Sequence, residues 1–333
     1  MNLQQRIDLL TRLGNYMLSD DPAWQQAKEK ASYENGWFIP EFIELAIKNI
    51  AENFLKKDIP ERWAAAYTLQ SMDNNKPKLV GIVMAGNIPL VGFHDLLCVF
   101  IAGHKALIKP SSKDSTLIKH IAEKMTEWSE EVRNLIQFAD QLKHCDAYIA
   151  TGSNNSAGYF EYYFKKYPHI IRRNRTSVAI LSGEETIEQL EKLADDVYLY
   201  FGLGCRNVTK IFVPGGYDFI PLLTAFKKYN FLADHHKYKN NYDYNLAIHL
   251  LNKKIYMSNA SVLLIEDTSP FSPISQLNYE FYSDRDKLIA SLKNNSAIQC
   301  IAGNNFVAFG KTQYPAIDDY ADGMDTLKFL ARL

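Results

Sequence analysis

Residues 78–112 read KLVGIVMAGNIPLVGFHDLLCVFIAGHKALIKPSS. The run Lys78–Ala85 is short, mostly apolar and rich in Val and Ile, as a strand buried on both faces must be. Leu90–Ala102 is apolar nearly all round, which predicts a buried helix, and Lys105–Lys109 is a second short strand. Strand, helix and strand in succession make a β-α-β unit, because parallel strands need such a crossover.

The alternation continues on both sides of this stretch. Downstream, Asp114–Trp128 predicts a helix, and Asn134–Phe138 and Asp146–Ala150 predict strands. A Gly/Ser turn and a helix near Ser156–Lys166 follow, then strand Ser177–Leu181 and helix Ile187–Tyr200. Beyond Asn207 come strand Val208–Val213, helices near 218–231 and 239–251, and strands near 254–257, 261–266, 298–301 and 305–309. Upstream, residues 1–75 read as helices. In Glu41–Leu55 the apolar positions 42, 43, 46, 47, 50, 51, 54 and 55 form one face of a 3.6-residue period. Pro60 suits the first turn of a helix over Glu61–Gln70. The pattern predicts an α/β protein of two doubly wound lobes with mostly parallel sheets.

Composition excludes several classes. Of 333 residues, 47% are hydrophobic, and 37 Lys and Arg nearly balance 38 Asp and Glu, for a net charge of −1. Such a chain is neither disordered nor a polybasic nucleic-acid binder. No apolar run reaches the ~20 residues of a membrane-spanning helix. The longest, Ile88–Gly103, is broken by Pro89, Gly92, His94 and Asp95. The first residues, MNLQQRIDLLTRLGNYM, lack the apolar core and cleavage site of a secretory signal. Four cysteines, Cys98, Cys145, Cys205 and Cys300, lie far apart with no C-x-x-C pair. That argues against a zinc ribbon or a disulfide scaffold and makes a reducing cytoplasm the expectation.

Neither G-x-x-x-x-G-K-[ST] nor G-x-G-x-x-G occurs. Thr151-Gly152-Ser153 follows a predicted strand, with Gly158 beyond it. Glycine there lets backbone N–H groups approach a phosphate, although an ordinary β-α turn with a serine cap has the same sequence. Cys205, in Gly202-Leu-Gly-Cys-Arg-Asn, is flanked by turn residues, and Arg206 beside it favours a thiolate. The competing reading is a small buried hydrophobe, and this applies most strongly to Cys98. Asn87 follows the first strand, where a carboxamide can donate to an oxyanion or simply form a turn. His235-His236 reads as a surface pair, and no cluster has metal-ligand spacing.

Taken in order, these fragments resemble the aldehyde dehydrogenase superfamily. Asn87-Ile-Pro-Leu, a helix, Ala102-Gly103, Ala106-Leu-Ile-Lys109 and Pro110-Ser111-Ser112 are similar to its central Asn-x-Pro, A-G and K-P-S signature. Thr151-Gly152-Ser153 resembles its second nucleotide-contacting turn, and Gly204-Cys205 its catalytic cysteine segment. Asn87 to Lys109 spans 22 residues, Lys109 to Gly152 43 and Gly152 to Cys205 53. The match covers about residues 78–215. Two features depart from it. Ile170–Val178 (IIRRNRTSV), where hydrolytic members carry a water-activating glutamate, holds no acid. The later E-x-F-G-P motif has only Pro270-Phe-Ser-Pro273 in its place. Within the superfamily, Gly86-Asn87-Ile-Pro89 with Leu96-Leu97 most resembles the LuxC-type acyl-CoA reductases. The chain is shorter than typical members, chiefly on the N-terminal side, which bears on the oligomerisation arm and part of the acyl channel.

The resemblance implies an aldehyde dehydrogenase-like, Rossmann-like fold. It implies a nucleotide-binding domain with a helical N-terminal segment over 1–185 and a catalytic cysteine domain over 186–310. A segment over 311–333 would return to the first domain. It also implies reduction of an acyl-CoA to an aldehyde through an acyl-Cys205 intermediate. Asn87 and the Cys205 backbone N–H would stabilise the oxyanion, Lys109 would hold the adenosine ribose, and Gly152 and Ser153 would approach the pyrophosphate. Where NAD-preferring members carry a glutamate, this chain reads Lys109-Pro110-Ser111-Ser112-Lys113. Hydroxyls and ammonium groups suit a 2′-phosphate, so NADPH is the expected cofactor and NADH the alternative; the same serines could instead cap the next helix. The implied substrate is an acyl-CoA or acyl-carrier thioester, with room for an acyl-transferring partner protein and for an oligomer, and with no nucleic acid, membrane span or metal. Two rival readings are a semialdehyde or acyl-phosphate reductase of the same superfamily and a non-catalytic nucleotide-binding subunit.

Overall fold

Leu79–Val83 forms β1, the middle of a five-stranded parallel sheet, in a computed structural model that describes residues 1–67 and 76–333. Four helices precede it: α1 (Leu3–Met17), α2 (Pro22–Glu34), α3 (Pro40–Asn53) and α4 (Asp58–Ala65). A capping box starts α1: Gln5 N–H donates to the Asn2 side chain at 2.9 Å and Asn2 N–H to the Gln5 side chain at 2.8 Å. The apolar face expected in α3 is buried at Phe42, Ile43, Ala46, Ile47, Ile50 and Ala51. The helix expected over Glu61–Gln70 is α4, and residues 68–70 lie outside those described.

After β1 come α5 (Phe93–Ile101), β2 (Lys105–Lys109), α6 (Thr116–Trp128), β3 (Ile136–Phe138), β4 (Ala147–Thr151), α7 (Asn154–Phe164) and β5 (His169–Arg172). The sheet order is β3-β2-β1-β4-β5. Helix α5 is buried over Phe93 and Asp95–Ile101, as its unbroken apolar character requires. Asp95, the acid in this run, is matched by Arg172 at the end of β5. One guanidinium nitrogen meets both carboxylate oxygens at 2.7 and 2.6 Å, and another donates to Thr326 Oγ1 at 2.7 Å.

The remaining strands form a second sheet, ordered β11-β6-β7-β10-β9-β8 and parallel except for the β8–β9 pair. Its elements are β6 (Thr176–Ile180), α8 (Ile187–Tyr198), β7 (Val208–Pro214), α9 (Phe219–Ala225), α10 (His236–Leu251), β8 (Met257–Ser258), β9 (Leu263–Glu266), β10 (Gln276–Tyr282), α11 (Arg285–Lys293) and β11 (Ile298–Gly303). The chain divides into two units, one of Met1–Asn174 with Pro315–Leu333 and one of Arg175–Tyr314. The division therefore falls after Asn174 rather than at 185, because β6 pairs with β7 and β11. The last segment carries α12 (Thr326–Leu330), whose Leu327 and Leu330 are fully buried in the core of the first unit.

Three expectations are corrected. Residues 305–309 form no strand; Gly303 and Asn305, with φ of 142° and 70°, turn the chain, and Val307 makes an isolated bridge to Ala302. The helix near 218–231 is α9 followed by a 3-10 helix over Phe226–Asp234. His235 is half-buried rather than exposed: it caps α10 and packs on Phe201 with ring centroids 4.5 Å apart.

Breaking the Asp95–Arg172 pair should be costly, because Arg172 is only 3% exposed. Asp95→Ala leaves that charge buried and should lower unfolding stability by about 3–5 kcal/mol, measured by denaturant titration.

Candidate active site

Three loops leave the C-terminal edge of the first sheet side by side. Val83 stands in register with Lys109 on one side and Ala150 on the other. The chain runs to β2 and β3 on one side of β1 and to β4 and β5 on the other, so the order reverses between β1 and β4. Open parallel sheets take ligands in the crevice at such a point. The loops carry Asn87, Lys109, Ser111, Ser112, Gly152 and Ser153, which the fold thereby gathers along one edge. Cys205 belongs to the second unit.

The loop after β1 is pressed against the loop after β2. At Gly86 a Cβ would lie 2.5 Å from Ser111 Oγ and 3.2 Å from Asp114 Cβ, so glycine permits the contact. Four residues on, Leu90 has φ of 56°, in the left-handed region, and its N–H donates to Asp114 Oδ2 at 2.7 Å. Asp114 is buried, and among the described residues its Oδ1 has no hydrogen-bond partner. Burial pushes this carboxyl up to about 7, while the Leu90 N–H pulls the other way. Lys109 and Ser112 are exposed and Asn87 and Ser111 half-buried. Ser111 Oγ accepts Lys113 N–H at 3.2 Å, and α6 begins only at Thr116, so neither Ser111 nor Ser112 caps it.

Beyond β4, Ser153 caps α7 by accepting Ser156 N–H at 3.3 Å. A Cβ on Gly152 would lie 2.9 Å from Ser156 Cβ and 3.0 Å from the Phe160 ring, so only glycine lets the turn close on the helix. Backbone N–H groups in the first turn of a helix suit an anion.

Around Cys205 the backbone is strained. Tyr200, Phe201 and Gly202 have φ of 55°, 57° and 74°. Left-handed backbone costs a residue with a Cβ about 1–2 kcal/mol. Asn207, fully buried, opposes that cost. Its Nδ2 lies 3.1, 3.3 and 2.8 Å from the carbonyls of Asp196, Val197 and Leu199, at the C-terminal end of α8, and its Oδ1 accepts Gly204 N–H at 2.8 Å. Ser177 Oγ, from β6, donates to the Cys205 carbonyl at 3.1 Å and accepts Cys300 N–H at 3.2 Å. Asn207 N–H also donates to the Gly204 carbonyl at 3.1 Å, so the peptide groups on both sides of Cys205 are held while the residue itself is half-exposed.

Burial raises the other three thiols: Cys98 well above its usual range, Cys145 less so, and Cys300 to about 11. Protonated thiols are weak nucleophiles. Of the residues that shape the site, Asp114, Ser177 and Asn207 were not singled out from sequence. Asn207 alone left a trace there, as a turn-forming residue two places after Cys205.

The fold is that of the aldehyde dehydrogenases. The chain superposes on an NAD-dependent aldehyde dehydrogenase from Sinorhizobium meliloti at 12% identity and TM-score 0.68, covering 95% of this chain and 73% of that one. For aldehyde dehydrogenase 21 from Physcomitrella patens, in complex with the reaction product succinate, the figures are 10%, 0.67, 92% and 74%. For a Mycobacterium tuberculosis aldehyde dehydrogenase complexed with NAD+ they are 12%, 0.61, 87% and 70%. No curated protein matches the chain. The profile of the family Acyl-CoA reductase (LuxC) matches residues 37–219, more than half of the sequence. The chain belongs to the LuxC acyl-CoA reductase family and is an oxidoreductase of the aldehyde dehydrogenase type. Among the described residues no helix is long and apolar enough to cross a membrane.

Asp114 gives the site a pH signature. Its folded value of about 7 lies above the ordinary 3.8, so the unfolded chain loses this proton first. Stability from this group is full below about pH 4 and is lost as pH rises through 7. Asp114→Asn cannot ionise. Its melting temperature relative to wild type should rise by several degrees from about pH 4.5 to pH 8, measured by calorimetry.

Proposed function

We propose that the protein reduces an acyl-CoA or acyl-carrier thioester to the aldehyde, using NADPH or, second, NADH, with the acyl group held on Cys205. The observation that carries this reading is the loop that presents Cys205. It is gripped at Gly204 N–H and at the Cys205 carbonyl and leaves Cys205 half-exposed, whereas Cys98 and Cys145 are buried and pushed toward the protonated form. Among the described residues no disulfide joins any of the four cysteines, which suits a reducing cytoplasm.

The Cys205 thiolate attacks the thioester carbonyl, the C–S bond to coenzyme A breaks, and the acyl group remains on Cys205. We assign the Asn87 carboxamide and the Cys205 backbone N–H to the oxyanion. Ile170–Val178 contains no carboxylate, and Arg172 within it is committed to Asp95, which supports slow hydrolysis of the acyl-enzyme. A bound reduced nicotinamide supplies the hydride. Cys205 then leaves as thiolate and the aldehyde is released.

The donor set suits that cofactor. An ammonium, two hydroxyls and the N–H groups of a helix start are donors, and the group presents hydroxyls and phosphates. Lys109 would hold the ribose and, with Ser111 and Ser112, a 2′-phosphate, and Gly152 and Ser153 would approach the pyrophosphate.

Incubation with acyl-CoA alone should leave a persistent acyl mass on wild-type protein and Cys145→Ala and none on Cys205→Ala, read by intact mass spectrometry. An adduct from acyl phosphate but from no acyl-CoA would overturn the substrate assignment. For the cofactor, Lys109→Ala should weaken NADPH several-fold more than NADH in fluorescence titration at fixed salt. Equal wild-type affinity for the two would remove the phosphate pocket.

A further inference from the structure

We infer that Asp114 is a positioning residue for the oxyanion turn: from the loop after β2 it holds the backbone that presents Asn87. The inference rests on the assignment of Asn87 above and extends it to a second residue.

Asn87 stands between two holds made by one loop. On its N-terminal side, Gly86 packs against Ser111 and Asp114 so closely that a Cβ would not fit. On its C-terminal side, Leu90 N–H donates to Asp114 Oδ2 at 2.7 Å, across 24 residues of sequence. Leu90 has φ of 56°, a conformation its side chain disfavours and an external partner must hold. Pro89 lies between, and its ring fixes one of the few torsions separating Leu90 from Asn87. A shift of the Leu90 peptide is therefore passed to Asn87 rather than absorbed.

Asp114 Oδ1 is buried without a hydrogen-bond partner among the described residues. Asparagine or serine could accept the same N–H without bringing a carboxylate into the core, so the fold gains no stability from the acid. The grip also lies on the segment that carries Lys109, Ser111 and Ser112. Contacts made there by a nucleotide thus reach the Asn87 turn through Asp114, which links cofactor occupancy to the oxyanion donor.

A double-mutant cycle tests this. Wild type, Asn87→Ala, Asp114→Ala and the double variant are first acylated with acyl-CoA. Aldehyde release is then followed in a single turnover at saturating reduced nucleotide, with rates taken per acylated Cys205. Asn87→Ala should slow release by about 10²–10³-fold. Asp114→Ala alone should slow it about tenfold or more, but by less than about twofold when Asn87 is already absent. Asp114→Asn, which keeps an acceptor for Leu90 N–H, should restore the rate to within about threefold of wild type. An equal effect of Asp114→Ala in both backgrounds, or no rescue by asparagine, overturns the inference while leaving Asn87 in place. No effect of Asn87→Ala overturns the assignment of Asn87 and this inference with it. Should Asp114→Ala fail to fold, Asp114→Leu, which is close to aspartate in shape and offers Leu90 N–H no acceptor, enters the same cycle.

Discussion

The candidate site depends on how β1 is hydrogen-bonded. Parallel neighbours on both sides fix Val83 against Lys109 and Ala150 at once. A slip of one residue would bring Val80 or Ile82 to the place of Gly81, where a Cβ would lie 2.9 Å from the Tyr148 ring and 3.0 Å from Cys145 Sγ, so the glycine enforces this register. Because the strands end together, the loops that follow them begin together. Gly86 can then touch Ser111, and Asp114 can reach Leu90. Helix α5, which starts behind this turn, is fixed in depth by the pairing of Asp95 with Arg172.

Different physics sets the cysteine loop of the second unit. A helix ends with carbonyls that have no partner within it. At the end of α8 the Asn207 amide serves three such carbonyls, and the same side chain accepts Gly204 N–H. The chain between passes through two left-handed residues with large side chains, Tyr200 and Phe201, whose burial helps to offset the backbone cost. Ser177 closes the arrangement from the neighbouring strand.

How far the sequence could be read follows from these causes. Strand β2 was legible to the residue and β1, β4, β6 and β7 nearly so, because buried parallel strands are short apolar runs between turns. Strand β10 was not expected although it is central to its sheet. Its Gln276, Asn278 and Glu280 disguise the apolar alternation, and buried Asn278 donates to the carbonyls of Ser269 and Phe271. Strand β5 was hidden by its four-residue length and its polar ends, His169 and Arg172. In the site, Asn87, Lys109 and Gly152 were legible because each lies at or just beyond a strand end. Asp114, Ser177 and Asn207 act through partners that only the folded chain brings near, and of the three only Asn207, as a turn residue, is marked locally in the sequence.

The division of the chain has a consequence for the order of its own construction. The second unit is one uninterrupted stretch, Arg175–Tyr314, and can gather all its strands as soon as that stretch has left the ribosome. The first unit is closed by residues made after the second: Ile317, Tyr320, Leu327 and Leu330 complete a core begun by Leu3, Ile7 and Leu10. Its amino-terminal helices must wait, partly uncovered, while the other unit is synthesised. Of the two units, the one whose synthesis starts earlier is completed after the other.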